Sequence, residues 1–196
     1  FPEEDMLVVD FVNPDFSYLI ENKDKIKGVV LTHGHEDHTG ALPFLLKEID
    51  VPIYGTPLTL GLVKEKLKEH SLENATLIPV KPRDVVNLGV FSIEFVRVTH
   101  SIVDGVGLGI DTPLGKVVHT VDFKLDPTPV YGQLMYFHKF SEYGEKGTLV
   151  LLSDSTNAEK GGFTFSEKEV SRAFEDIFSK AQGRIIIATF ASNIHS

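Results

Sequence analysis

The chain has 196 residues, 42% of them apolar and 24% charged, with a formal net charge of −9. This length and composition describe one folded globular unit around a substantial core and exclude a disordered chain. There is no cysteine, so disulfides, iron–sulfur clusters and Cys-ligated zinc are excluded, and any metal must be held by imidazole and carboxylate. A cysteine-free chain fits a reducing compartment. No apolar run approaches the ~20 residues of a membrane helix. The acidic balance argues against a nucleic-acid binder that relies on a basic patch, although two divalent ions would make one small region attractive to phosphate. The opening FPEEDMLVVD has no initiator Met, basic region or signal-peptide core, and reads as the interior of a longer protein.

In chain order, MLVVDFV reads as a short strand, followed by a turn at Pro14 and a helical turn in FSYLIENKDKI. GVVLT is an apolar run of strand length. GALPFLLKEI has helical spacing, with Pro43 in the first turn, where proline is tolerated. VPIYG reads as a strand, and TPLTLGLVKEKLKEH as a helix capped by Thr56, with Pro57 at its first position and Leu58, Leu62 and Lys66 on a mixed face. Residues 75–118 change character: ATLIPV, VFSIEFVRV, GVGLGIDT and GKVVHTV predict successive strands, with a hairpin turn in TPLGK. GTLVLLSD predicts another apolar strand. SEKEVSRAFEDIFSKAQG predicts a helix with a Ser166/Glu169 capping box, an apolar face of Val170, Phe174, Ile177 and Phe178, and Gly183 as its stop. RIIIATF reads as a further buried strand. Strands alternating with helices around a strand-rich middle predict a layered α/β domain with at least one mixed sheet.

LTHGHEDHTG, residues 31–40, follows the apolar GVVL directly. His33 and His35 lie two apart, so an extended backbone sends both imidazoles to one side. Asp37 and His38 follow as the chain turns into a helix. Imidazoles with a carboxylate are the donors that borderline metals such as zinc prefer, and they are costly to desolvate together without one. Glu36 reads as a helix cap or a solvent-facing side chain. Because His35 and His38 are three apart, the HExxH pattern of zinc proteases is absent. His100 ends the alternating run FVRVT and Asp122 follows VVHTV. Each is ordinary alone, but strands that end on one edge can bring such residues to a common site. His119, three before Asp122, reads as a core or supporting histidine.

On HGHEDH the chain resembles the metallo-β-lactamase superfamily. DSTNAE and ATFASNIH make it similar to the RNA-processing β-CASP branch, and within that to the ribonuclease J family. The resemblance covers nearly the whole chain, through VPIYGTPLTLGLVKEKL and VTHSIVDGVGLGIDTPLGKVVHTVDFKLDPTPV. It implies an α/β fold, an incomplete metallo-β-lactamase-like four-layer αββα sandwich. Residues 1–190 would be the central portion of that domain, and 191–196 would begin the transition into an absent β-CASP domain. His33, His35 and His100 are implied as ligands of one zinc ion and Asp37 and His38 of a second, with Asp122 bridging. The resemblance also implies catalytic roles for Asp37, Asp122 and Asp154, Asp154 by supporting the metal shell, although a strand-end aspartate also caps turns such as Ser155–Asn157.

The implied activity is metal-dependent hydrolysis of RNA phosphodiester bonds, as a 5′-to-3′ exoribonuclease with endoribonuclease activity, using two Zn2+ ions in the complete protein. The implied partner is single-stranded RNA bearing a 5′-monophosphate, the complete protein a homodimer or homotetramer, and the location cytoplasmic and away from membranes. The family's HTGDFK appears here as HTVDFK, so Val121 is expected to strain the loop and displace Asp122 if the position needs positive φ. HSIPDS appears as HSIVDG, with Val103 and Gly105 replacing proline and serine. Two other readings stand beside this one: a dinuclear metallohydrolase of a thioester, lactam or DNA, and a catalytically silent scaffold or assembly subunit.

Overall fold

The computed structural model describes residues 8, 9 and 11–190. A short helix α1 (Ser17–Glu21) and a 3-10 turn at Lys23–Lys25 lead into a parallel sheet of β1 (Val29–Val30), β2 (Ile53–Gly55) and β3 (Leu77–Pro79), paired in that order. Parallel neighbours need crossovers. These are supplied by α2 (Glu36–Thr39) and α3 (Leu42–Leu46) between β1 and β2, and by α4 (Pro57–Glu69) between β2 and β3. Pro57 opens α4 as expected, but Thr56 at its N-cap donates its hydroxyl to Thr59 Oγ1 at 3.0 Å and accepts no backbone N–H. The buried face of α4 is Thr59, Leu60, Val63 and Leu67, one step round from the expected Leu58/Leu62 face. The reason is packing: Leu60, Val63 and Leu67 meet Leu31, Leu42 and Ile53 in one cluster.

The second sheet holds β4 (Val85–Leu88), β5 (Phe91–Arg97), β6 (Val106–Thr112), β7 (Gly115–His119) and β8 (Val150–Leu152), again in chain order. β4 to β7 form an antiparallel meander, and β6 turns into β7 through the two-residue Pro113–Leu114 loop, with Thr112 opposite Gly115. β8 returns parallel to β7 after the crossover helix α5 (Phe137–Lys146).

Side-chain alternation along the strands builds the layers. Ile53 packs toward the helices, while Val30 and Tyr54 turn the other way onto Ile93, Phe95, Val106 and Leu108 of the second sheet. On the far face of that sheet Val96 and Val118 pack on Tyr143 and Phe140 of α5. The order is therefore helix, sheet, sheet, helix, the expected αββα sandwich. Phe95, fully buried between the sheets, should cost about 3–5 kcal/mol on truncation to alanine. Gly109 is glycine for a packing reason: a Cβ there would sit 2.5 Å from the Tyr143 hydroxyl.

Several local expectations are corrected. MLVVDFV is not a strand over its described residues: Val8, Val9, Phe11 and Val12 are exposed, and residues 6, 7 and 10 lie outside the described set. RIIIATF is neither a strand nor buried; Ile186 is 84% exposed, and no strand among the described residues pairs with it. A strand needs a hydrogen-bonding neighbour, which an apolar run does not itself supply. β8 is a strand, but an exposed edge strand. In α6 (Glu167–Lys180) Ser166 is the N-cap and accepts from Lys168 N–H, while Glu169 pairs with Arg172 instead of closing the box. That helix ends at Lys180, ahead of Gly183. Among the described residues no helix is long and apolar enough to cross a membrane.

Candidate metal centre

Because β5 and β7 are both antiparallel to β6, they point the same way, and β8 follows β7. Their C-terminal ends therefore share an edge, where His100, Asp122 and Asp154 emerge. β1 leads to the same edge, since Thr32 C=O accepts from Val106 N–H at the start of β6. His33 leaves β1, His35 is the N-cap of α2, and Asp37 and His38 occupy the first turn of that helix. Gly34 lets this loop press on α4: a Cβ there would lie 2.6 Å from Leu62 Cδ1.

One ligand atom from each of His33, His35, His100 and Asp122 lies within 4.8 Å of the others, and the same holds for Asp37, His38 and Asp122. Asp122 belongs to both groups. Its Oδ2 is 3.8 Å from His33 Nε2, 3.3 Å from His38 Nε2 and 3.7 Å from His100 Nε2. His100 Nε2 and His35 Nδ1 are 3.2 Å apart, and His38 Nε2 lies 3.5 Å from the exposed Asp37.

Burial, and then the neighbouring imidazoles of His38, His100 and His35, push the His33 pKa down to about 3. Burial is also the leading cause of the lowered values of His35, His100 and His119. These rings are consequently neutral near pH 7 and offer lone pairs. His33 provides the sharpest test of fit. Its Nδ1 meets Thr32 Oγ1 at 3.2 Å, whereas its buried Nε2 has no hydrogen-bond partner among the described residues. A proton on Nδ1, donated to Thr32, leaves an acceptor at Nε2 facing the acceptor Oδ2 of Asp122. An orphaned buried acceptor costs about 1–3 kcal/mol, and a cation between two acceptors removes that cost. The donor set fits divalent metal.

Asp154 lies outside both groups. Its Oδ1 accepts from the amide and hydroxyl of Thr156, capping the turn, and its Oδ2 receives the Phe123 amide at 3.5 Å. The Asp154 amide in turn donates to Thr120 Oγ1 at 3.1 Å. Asp154 thus touches the chain on both sides of Val121 and Asp122, at the Thr120 hydroxyl and at the Phe123 amide. Its pKa is lowered first by the Thr156 hydroxyl, with His100 contributing through charge.

Val121 has φ 51°, the left-handed region expected to strain a β-branched residue, yet Asp122 still reaches the imidazoles. The Val121 side chain is buried against Val98 and Met135, which offsets the strain. Glu36 pairs with Lys66 and takes no part in the donor groups. His119 contributes no ligand atom, but its charge interactions with His38 and Asp122 place it beside the cluster. Thr99 was not legible as a functional residue: its hydroxyl donates to Lys124 C=O at 2.5 Å and its C=O accepts from Lys124 N–H at 2.7 Å, pairings no local motif announces.

Residues 8–129 match the sequence profile of the Metallo-beta-lactamase superfamily. Curated proteins named ribonuclease J from Helicobacter pylori, Synechocystis and Thermus thermophilus are 49%, 52% and 48% identical to the chain over all of its length. The chain spans 29%, 31% and 35% of those relatives, about a third of their length. A crystal structure of a protein of unknown function from Enterococcus faecalis, 18% identical, aligns with a TM-score of 0.54 over 78% of this chain and 39% of its own, and shares the fold. The profile match covers every residue of both donor groups, and on it the chain belongs to the metallo-β-lactamase superfamily, with a ribonuclease J-like sequence throughout.

Proposed function

We propose that this chain is the metal-binding part of a zinc-dependent ribonuclease that hydrolyses RNA phosphodiester bonds, acting from the 5′ end as an exonuclease and also as an endonuclease. The observation that carries the reading is Asp122, whose one carboxylate belongs to two adjacent donor groups. On this reading His33, His35, His100 and Asp122 hold one zinc ion, and Asp37, His38 and Asp122 hold the other. Two ions held there would supply positive charge against an anionic phosphodiester and a more acidic bound water. The neutral imidazoles supply lone pairs, Asp122 fixes the spacing of the two groups, and Asp154 keeps the Asp122 loop in place through Phe123 and Thr120. The similarity to ribonuclease J supports RNA over a lactam or thioester.

The substrate is single-stranded RNA with a 5′-monophosphate, handled by a cytoplasmic homodimer or homotetramer. Residues 1–190 are assigned to the central part of the metallo-β-lactamase domain, and 191–196, which lie outside the described residues, to the transition into a β-CASP domain. The test is side-by-side turnover of 5′-monophosphorylated RNA, DNA and a chromogenic lactam by the full-length protein. RNA should be cut preferentially; turnover of another substrate faster by orders of magnitude overturns the assignment, and no turnover of any favours a silent scaffold.

A further inference from the structure

Asp126 lies four residues past Asp122, is only 4% exposed, and takes no part in either donor group. Its Oδ1 accepts from Thr128 N–H at 2.9 Å, and its Oδ2 from Glu167 N–H, at the first residue of α6, at 3.0 Å. Beside it, Lys124 Nζ meets Glu167 Oε1 at 2.5 Å, with both side chains largely covered. The Ser166 hydroxyl donates to Thr128 C=O at 2.8 Å and accepts from the Thr128 hydroxyl at 2.9 Å. The loop after Asp122 is therefore fastened to the first turn of a helix some forty residues further along the chain.

The other side of the same loop meets His100. Lys124 and Thr99 exchange two hydrogen bonds, one through the Thr99 hydroxyl and one between backbones. Thr99 precedes His100, and Lys124 follows Asp122 by two residues, so this exchange sets the separation of two donors. α6 itself has no buried residues, and Val170, Phe174, Ile177 and Phe178 of its apolar face are all more than a third exposed. Its N-terminus is nonetheless tied by a buried carboxylate and a covered ion pair. Contacts of that quality at the end of a helix with no buried side chain are explained by what they hold on the other side.

We infer that Asp126 and the Lys124–Glu167 pair are a clasp through which the first turn of α6 fixes Asp122 against His100, making Asp126, Lys124 and Thr99 positioning residues of the metal centre. The inference rests on the reading that the cluster holds metal. Outer partners that orient metal ligands are typically worth about 10–100-fold in metal affinity. Loss of the clasp leaves all the donors present but frees the Asp122 loop.

The experiment uses the full-length protein, with Zn2+ affinity measured by chelator competition, the visible spectrum of the Co2+ form, and thermal unfolding to establish that each variant folds. Asp126→Asn and Lys124→Met should weaken Zn2+ binding by about 10–100-fold and alter the Co2+ bands. Lys124→Arg, which keeps the cation, should match the parent, and Thr99→Ser should bind better than Thr99→Val. If Asp126→Asn does not fold, the Lys124 pair of variants decides alone. Folded Lys124→Met protein with parental affinity and spectrum overturns the clasp while leaving the metal reading standing. A parent that binds no metal overturns the metal reading and the clasp's role together.

Discussion

The Oδ2 atom of Asp122 stands 3.3 Å from Nε2 of His38, and the same oxygen faces His33 and His100 at 3.8 and 3.7 Å. Among the described residues no other side chain belongs to both donor groups. Asp122→Asn keeps the size of the side chain and removes its charge. Zinc should fall below two ions per full-length protein and RNA cleavage by more than about 100-fold, beyond the usual loss from outer partners. Two ions and parental turnover in the variant would contradict the shared role.

His35→Ala and His70→Ala separate donor loss from histidine loss in general. His35 lies in the cluster, whereas His70 caps the end of α4 and packs its ring on Phe44. Zinc analysis and RNA assays should show the His35 variant depleted and nearly inactive, with the His70 variant close to the parent. Equal activity in the two variants would reject the site.

The metal-free protein should lose stability as pH falls below 6.5. Burial, with the neighbouring imidazoles, pushes the His33 pKa down to about 3 from an ordinary value of 6.5, and burial lowers His35, His100 and His119 as well. Between those limits the unfolded chain binds more protons than the folded one, so stability is full above 6.5 and declines toward 3. Urea unfolding of chelator-treated protein at pH 7.5, 6 and 5 should give falling midpoints; constant midpoints would show that the imidazoles are not held neutral.

Val121 and Val98 share one buried cluster, but only Val121 has positive φ. A left-handed β-branched residue costs about 1–2 kcal/mol, roughly what burial of its side chain returns. Because alanine keeps the Cβ that a left-handed backbone crowds, glycine is the informative replacement: Val121→Gly should destabilise less than Val98→Gly in thermal unfolding, with zinc occupancy unchanged. The reverse order would mean that the Val121 backbone is not strained.

How much of this was legible in sequence depends on distance along the chain. His33, His35, Asp37 and His38 declare themselves because their spacing is local, and strand periodicity was enough to place the β5, β6 and β7 runs. His100 and Asp122 were legible only as ends of strands that had to share an edge. The Thr99–Lys124 and Asp126–Glu167 bonds were not, since they join segments 25 and 41 residues apart with no periodic signal. RIIIATF misled for a related reason: apolar composition specifies what a segment would bury, but not whether a partner lies beside it. Asp154 illustrates a mixed case, because the same carboxylate caps its own turn and holds the loop before Phe123.

We propose that two metal ions sharing Asp122 make this chain part of a ribonuclease. The most direct measurement is cleavage of a labelled 5′-monophosphorylated RNA by full-length protein of known metal content, before chelation, after it, and after Zn2+ is returned. Two ions per protein, with cleavage lost on chelation and restored by Zn2+, is the predicted result. Metal-free protein that cuts the RNA as well as the loaded form, or loaded protein that leaves the RNA intact, would contradict it.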